Sequence, residues 1–220
     1  MKENRVHYRY FLALFVAAVF ILPAVAGNNY ASRPDTGGSA ELTHQKDDQK
    51  RKKVLIVYAS RAGSTAEVAK AIGQTLKETG LSVDTFSITD MHDPDKYEAI
   101  IIGSAIRMGK WLPEAVDFVK KNGEILSKVP TAYFVVCNTM KEDTPENRKK
   151  TLAYLNPVLN IAPNVQPVDI GLFGGVIDFN KLSFVDRSVL KIRGVAEGDF
   201  RDWTSVRKWA FDVASIFTGK

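Results

Sequence analysis

Three hydroxyls and a glycine crowd one short stretch, Ser60-Arg61-Ala62-Gly63-Ser64-Thr65. It follows an apolar run at 53–59, KVLIVYA, and precedes apolar residues at helical spacing: Val68, Ala69, Ile72 and Leu76. A strand that turns directly into a helix leaves the first N–H groups of that helix without acceptors, and the helix dipole adds positive potential there. Such a place holds an anion, above all a phosphate. Gly63 lets the backbone come close to it, and Ser60, Ser64 and Thr65 add hydroxyl donors. GxxxxGK[ST] is missing, which disfavours a nucleoside triphosphate. GxGxxG is missing too, which disfavours a dinucleotide. A phosphate monoester, as in FMN, suits the stretch better. The same residues would also serve as a hydroxyl-rich helix cap with no ligand.

Two further stretches end apolar runs. Residues 99–103, AIIIG, lead into Ser104-Ala105-Ile106-Arg107-Met108-Gly109-Lys110-Trp111. Residues 131–137, TAYFVVC, lead into Asn138-Thr139-Met140. Small residues and an apolar edge suit the close approach of a flat ring. Met108 or Trp111 would pack on it, and backbone amides would bond its polar edge. Arg107 and Lys110 would sit at the rim and hold a substrate carboxylate. Blander readings stand beside these: a helix-start aromatic for Trp111, solvated charges for Arg107 and Lys110, and a small core hydrophobe for Cys137. A flavin performs its own redox step, so no catalytic side chain is assigned.

The elements that must position these stretches follow from periodicity. The runs at 53–59, 99–103 and 131–137 read as strands buried on both faces. Residues 83–88 alternate and read as an edge strand with one wet face, and 168–173 as the last strand. Helices are expected over 65–79, from about 113 to 121, from 145 to 155, and over 204–217. Gly80 ends the first of these in a left-handed conformation, and Thr144-Pro145-Glu146 starts the third. Pro157 is expected to stop that third helix. The alternation predicts an α/β fold, a doubly wound sandwich of a five-stranded parallel sheet in order 2-1-3-4-5, with helices on both faces. Ligands of such sheets bind at the strand carboxyl ends, beside the switch point.

YASRAGST, GSAIRMGKW and the run FVKKN together resemble the flavodoxin superfamily, and more closely the menaquinone-dependent protoporphyrinogen oxidase family. The resemblance extends through TAYFVVCNTMKEDTPENRKKT and GLFGGVIDFNKLSFVDRSVLK, so it covers nearly all of 53–217. It implies a flavodoxin-like FMN domain with an insert near 174–200. Residues 60–65 would hold the phosphate, and 104–111 with 138–140 would flank the ring. It further implies oxidation of a haem precursor, with electrons passed to a quinone or a redox protein. The insert carries Phe179, Lys181, Phe184, Arg187, Lys191 and Arg193 but no tyrosine, a departure from the aromatic-rich insert of that branch. A one-electron carrier is the alternative, although such carriers show an acidic docking face and this chain is mildly basic. A flavin-free binding module is the third reading. A phosphoacceptor receiver domain needs an acidic pair after the first strand and Asp at the end of the third; Ser60-Arg61 and Gly103-Ser104 stand there instead.

The chain of 220 residues has formal charge +5, of which residues 1–26 contribute +2. The remainder is too mildly basic for a nucleic-acid partner; it favours, weakly, an anionic membrane surface. One cysteine excludes an intramolecular disulfide, and with three scattered histidines no metal site is expected. Residues 1–10 are polar and positive, 11–26 are nearly all apolar, and Ala24-Val25-Ala26 fits a cleavage site. This is the layout of a signal peptide or an N-terminal anchor. Residues 28–52 read as a flexible linker. The folded domain is therefore expected to be exported or membrane-associated, and extracytoplasmic.

Overall fold

The computed structural model describes residues 51–91, 93–192 and 194–219. The signal or anchor at 1–27, nearly all of the linker at 28–52, and Arg193 lie outside the described residues. Eight strands and six α-helices follow along them: β1 (Lys53–Ala59), α1 (Ser64–Glu78), β2 (Ser82–Ser87), β3 (Ala99–Arg107), β4 (Lys110–Trp111), α2 (Pro113–Leu126), β5 (Thr131–Val136), α3 (Pro145–Ala153), α4 (Asn156–Ile161), β6 (Ile170–Phe173), β7 (Val176–Ile177), α5 (Phe184–Ile192), β8 (Gly198–Asp199) and α6 (Trp203–Thr218).

The main sheet runs β2-β1-β3-β5-β6, all parallel, with β4 antiparallel to the end of β3. This is the doubly wound order expected from the sequence. Register places Val57 against Ile102 and Ile102 against Tyr133. The period of two then sorts β1 onto two cores. Val54 and Ile56 face α1 and α6, together with Ile72, Leu76, Val206 and Val213. Leu55 and Val57 face the other side, with Val119, Leu126 and Val158. Each such side chain contributes about 1.5–3 kcal/mol on burial, which holds the strand ends in place around the site.

Local chemistry fixes several element ends. Gly80 has φ 91° and its N–H donates to the Lys77 carbonyl, closing α1. Thr144 caps α3 by accepting from the Asn147 N–H at 3.2 Å. Gly103 exists because the sheet is crowded: a Cβ there would lie 1.9 Å from the Phe134 ring.

The main departures from the sequence expectation are four. β3 does not stop at Gly103; it runs to Arg107 and folds back, pairing Arg107 with Lys110. Met108 (φ 52°) and Gly109 (φ 73°) supply the two positive φ values of a two-residue hairpin turn. Helix α2 runs past Lys121 to Leu126, which is buried and rewards the extra turn. Pro157 stands in the first turn of a new helix, α4, where its missing N–H costs nothing. The insert builds its own hairpin, β7 with β8, and carries α5 between them.

Candidate functional site

The loop after β1 is held by its own side chain: the Gly63 N–H donates to Ser60 Oγ at 3.1 Å. Gly63 then takes φ 94° as the N-cap of α1 and has no side chain with which to cap it. The first backbone bond of the helix runs from the Glu67 N–H to the Gly63 carbonyl. The N–H groups of Ser64, Thr65 and Ala66 thus lack intrahelical acceptors. Thr65 is fully buried, yet its Oγ1 has no hydrogen-bond partner. A buried unpartnered hydroxyl costs about 1–3 kcal/mol, a cost that a bound anion would remove.

Glu67 lies in the first turn of this helix, where its charge would oppose an anion. Arg201 neutralises it. The Arg201 guanidinium pairs with Glu67 and with Asp199 (2.6 Å), and stacks 4.6 Å from the Trp203 ring centroid. Hydrogen bonding to Asp199 pushes the Arg201 pKa further up, and the same bonds hold the Asp199 carboxyl below its ordinary value. Burial pushes the Cys137 thiol up.

The α1 N-terminus opens on a cavity of about 690 Å³, at the carboxyl ends of β1, β3 and β5. That is the size of a small-molecule or cofactor site. Of the residues expected to hold a phosphate, Ser60, Arg61, Ala62, Ser64 and Thr65 line it. From the second stretch come Ala105, Ile106, Arg107, Met108 and Gly109, and from the third Asn138 and Thr139. Asn138 Oδ1 is buried and unpartnered, a second polar atom awaiting a ligand. Arg61 is already engaged, with Nη1 at 2.7 Å and Nη2 at 3.1 Å from the two carboxylate oxygens of Glu114.

Five expected contacts do not line the cavity. Gly63 shapes the turn instead of touching the space. Ser104 is buried, accepting from the Leu112 N–H at 3.0 Å and donating to the Ala105 carbonyl. Trp111 packs edge-on against Tyr133 at 5.2 Å in the α2-side core, because the β3–β4 hairpin turns it inward. Met140 joins the same core. Lys110 borders a separate small hollow with Trp111 and Asp117, so it is not at the rim of the larger cavity.

Sequence reasoning missed two walls. Tyr154 and Lys150 approach from the end of α3, and Tyr154 OH lies 3.2 Å from Thr139 Oγ1. Their four-residue spacing was the available signal. The insert supplies the other wall, through Ile177, Leu182, Val185, Val189 and Leu190. Gly175 lets it approach, since a Cβ there would lie 3.1 Å from Val136 Cγ1.

Residues 55–202 match the flavodoxin domain family. This chain belongs to that family. The flavodoxin domain is similar to protoporphyrinogen IX dehydrogenase [quinone] of Escherichia coli strain K12, with 25% identity over 74% of this chain and 96% of that protein. It is 28% identical to the protein of that name from Leishmania major, over 74% of this chain and 75% of the relative. Among solved structures, oxidised flavodoxin 1 from Bacillus cereus aligns with a TM-score of 0.48 and 16% identity, covering 76% of this chain and 98% of that one. The phosphate-loop turn of this flavodoxin domain, its switch-point cavity and its two orphaned polar atoms fit a phosphate-bearing flat ring.

Proposed function

We propose that this domain is an FMN-dependent oxidoreductase that oxidises a reduced tetrapyrrole of the protoporphyrinogen class and delivers the electrons to a quinone. One observation carries the cofactor: the uncapped first turn of α1, with the buried and unpartnered Thr65 hydroxyl, opens on a cavity of suitable size. Ser60, Ser64, Thr65 and the N–H groups between them would hold the phosphate. The stretches 105–109 and 138–139 would flank the ring. Bound there, FMN supplies the redox chemistry.

The remaining work falls to the chain's own residues. Asn138 Oδ1 accepts a donor from the ligand edge and loses its burial penalty. Arg107 and Lys150 bring positive charge to the cavity wall, which suits an anionic substrate carboxylate. The apolar insert wall excludes water and offers surface to a flat apolar substrate. The names carried by the two curated relatives support this substrate class and acceptor. A one-electron carrier needs only the ring site, so the added wall argues for the enzyme. The apolar run at 11–26 supports an exported or membrane-anchored setting.

The test begins with the absorption spectrum of the full chain purified from its host. A flavin band and quinone-dependent oxidation of protoporphyrinogen under anaerobic conditions are expected. A colourless protein that takes up no FMN would overturn the cofactor. Flavin reduction by other donors with no porphyrin turnover would overturn the substrate.

A further inference from the structure

The insert helix α5 exposes an unusual amount of apolar surface. Phe184 is 81% exposed, Ile192 85% and Val185 63%. At 100° per residue, Phe184, Ile192, Val185 and Val189 fall on one continuous stripe. Val185 and Val189 line the cavity, so the stripe runs from the cavity wall out to the surface. Met108, 91% exposed, lies on the same cavity at the tip of the β3–β4 turn. Side chains of this size do not stay in water without a reason when they cluster.

We propose that α5 and the Met108 turn seat the cavity mouth on an anionic lipid surface. Charge selects this occupant. Between Asp178 and Gly194 the sequence holds Lys181, Arg187, Lys191 and Arg193 against Asp178 and Asp186; Lys181 pairs with Asp178 at 3.9 Å, and the segment stays net positive. An apolar stripe flanked by basic residues is the pattern of an interfacial helix, and anionic headgroups attract it. A second copy of this chain would bring the same excess of positive charge against itself. The sequence adds an independent reason for a bilayer nearby: the apolar run at 11–26 precedes a linker of Gly, Ser, Asp and Lys. The docked orientation opens the cavity toward the phase in which apolar molecules dissolve. The proposal concerns α5 and the Met108 turn and does not depend on flavin.

The test uses the full chain with an environment-sensitive nitrobenzoxadiazole label at Ile192→Cys. A second preparation carries the label at Ser127→Cys, at the far end of α2, where the strands begin. The unsubstituted chain gives the background, since its sole cysteine, Cys137, is buried. Vesicles of mixed phosphatidylcholine and phosphatidylglycerol are expected to blue-shift and brighten the label at 192, and headgroup-region nitroxide lipids to quench it. The label at 127 stays unchanged even where residues 11–26 tether the chain to the vesicle. Phe184→Asp abolishes the change at 192, with circular dichroism confirming the fold. Three results would overturn the proposal: an unresponsive label at 192, equal responses at both positions, or a response at 192 that grows with protein concentration without lipid, which marks a second copy.

Discussion

Arg201 and Glu67 stand 134 positions apart in the sequence and form an ion pair at the first turn of α1. The pair does two things. It ties the return of the insert to the helix whose N-terminus is proposed to hold the phosphate, and it neutralises a negative charge beside that N-terminus. Arg201→Ala is expected to lower stability by about 1–3 kcal/mol through lost charge-assisted hydrogen bonds. It should also weaken FMN binding by about 2–5-fold, the size of a helix-terminus charge effect. Adding Glu67→Gln should restore the affinity and not the stability. Flavin fluorescence titration and urea unfolding separate the two; unchanged affinity in Arg201→Ala would show that Glu67 does not act on the site.

Asp199 adds a pH dependence to the same clamp. Its folded carboxyl is held below the ordinary Asp value by the Arg201 hydrogen bonds. A depressed folded value contributes stability above the unfolded value, about 4, and loses it as pH falls through the lower folded value. The wild type should therefore lose stability below about pH 4 more steeply than Asp199→Asn, which should be weaker near neutrality. The difference is modest because the carboxylate is half exposed. Urea midpoints across the acid range measure it; parallel profiles would refute it.

Thr65→Val keeps the shape of a fully buried side chain and deletes its unpartnered hydroxyl. The ligand-free protein should gain about 1 kcal/mol. Binding of FMN should fall by about 10–100-fold, as expected for a lost hydrogen bond to a charged group. Opposite signs in stability and affinity are the signature, read by thermal unfolding without ligand and by flavin titration.

Met108 pays a conformational cost, since a long side chain sits at φ 52°. Met108→Asn should stabilise the hairpin by about 1 kcal/mol, because Asn-Gly is a preferred pair for this turn. Thermal unfolding checks it. A loss of stability would mean that Met108 gains more from its contacts than its backbone gives up.

Much of the fold is legible in the sequence. β1 and α1 announce themselves through residues close in sequence: KVLIVYA has no polar face, and Val68, Ala69, Ile72 and Leu76 repeat at the helical period. Ser60 to Thr65 likewise reads as an anion loop because helix N-termini are local chemistry. Such features depend on neighbours within a few positions, so the sequence by itself determined them, along with the doubly wound order that alternating elements impose.

Tertiary structure alone decided which side chains meet in the cavity. Trp111 and Ser104 look like ring contacts in the sequence, yet the pairing of Arg107 with Lys110 turns Trp111 into the core, and Ser104 sits between Ala59 and Val135 in the sheet with its hydroxyl taken by the Leu112 N–H. Lys150, Tyr154 and the α5 stripe arrive from distant segments. The link between Arg201 and Glu67 spans most of the domain. Side-chain direction at a strand end changes face with a single step of register, and contacts between remote segments depend on how whole elements pack. No local pattern carries that information.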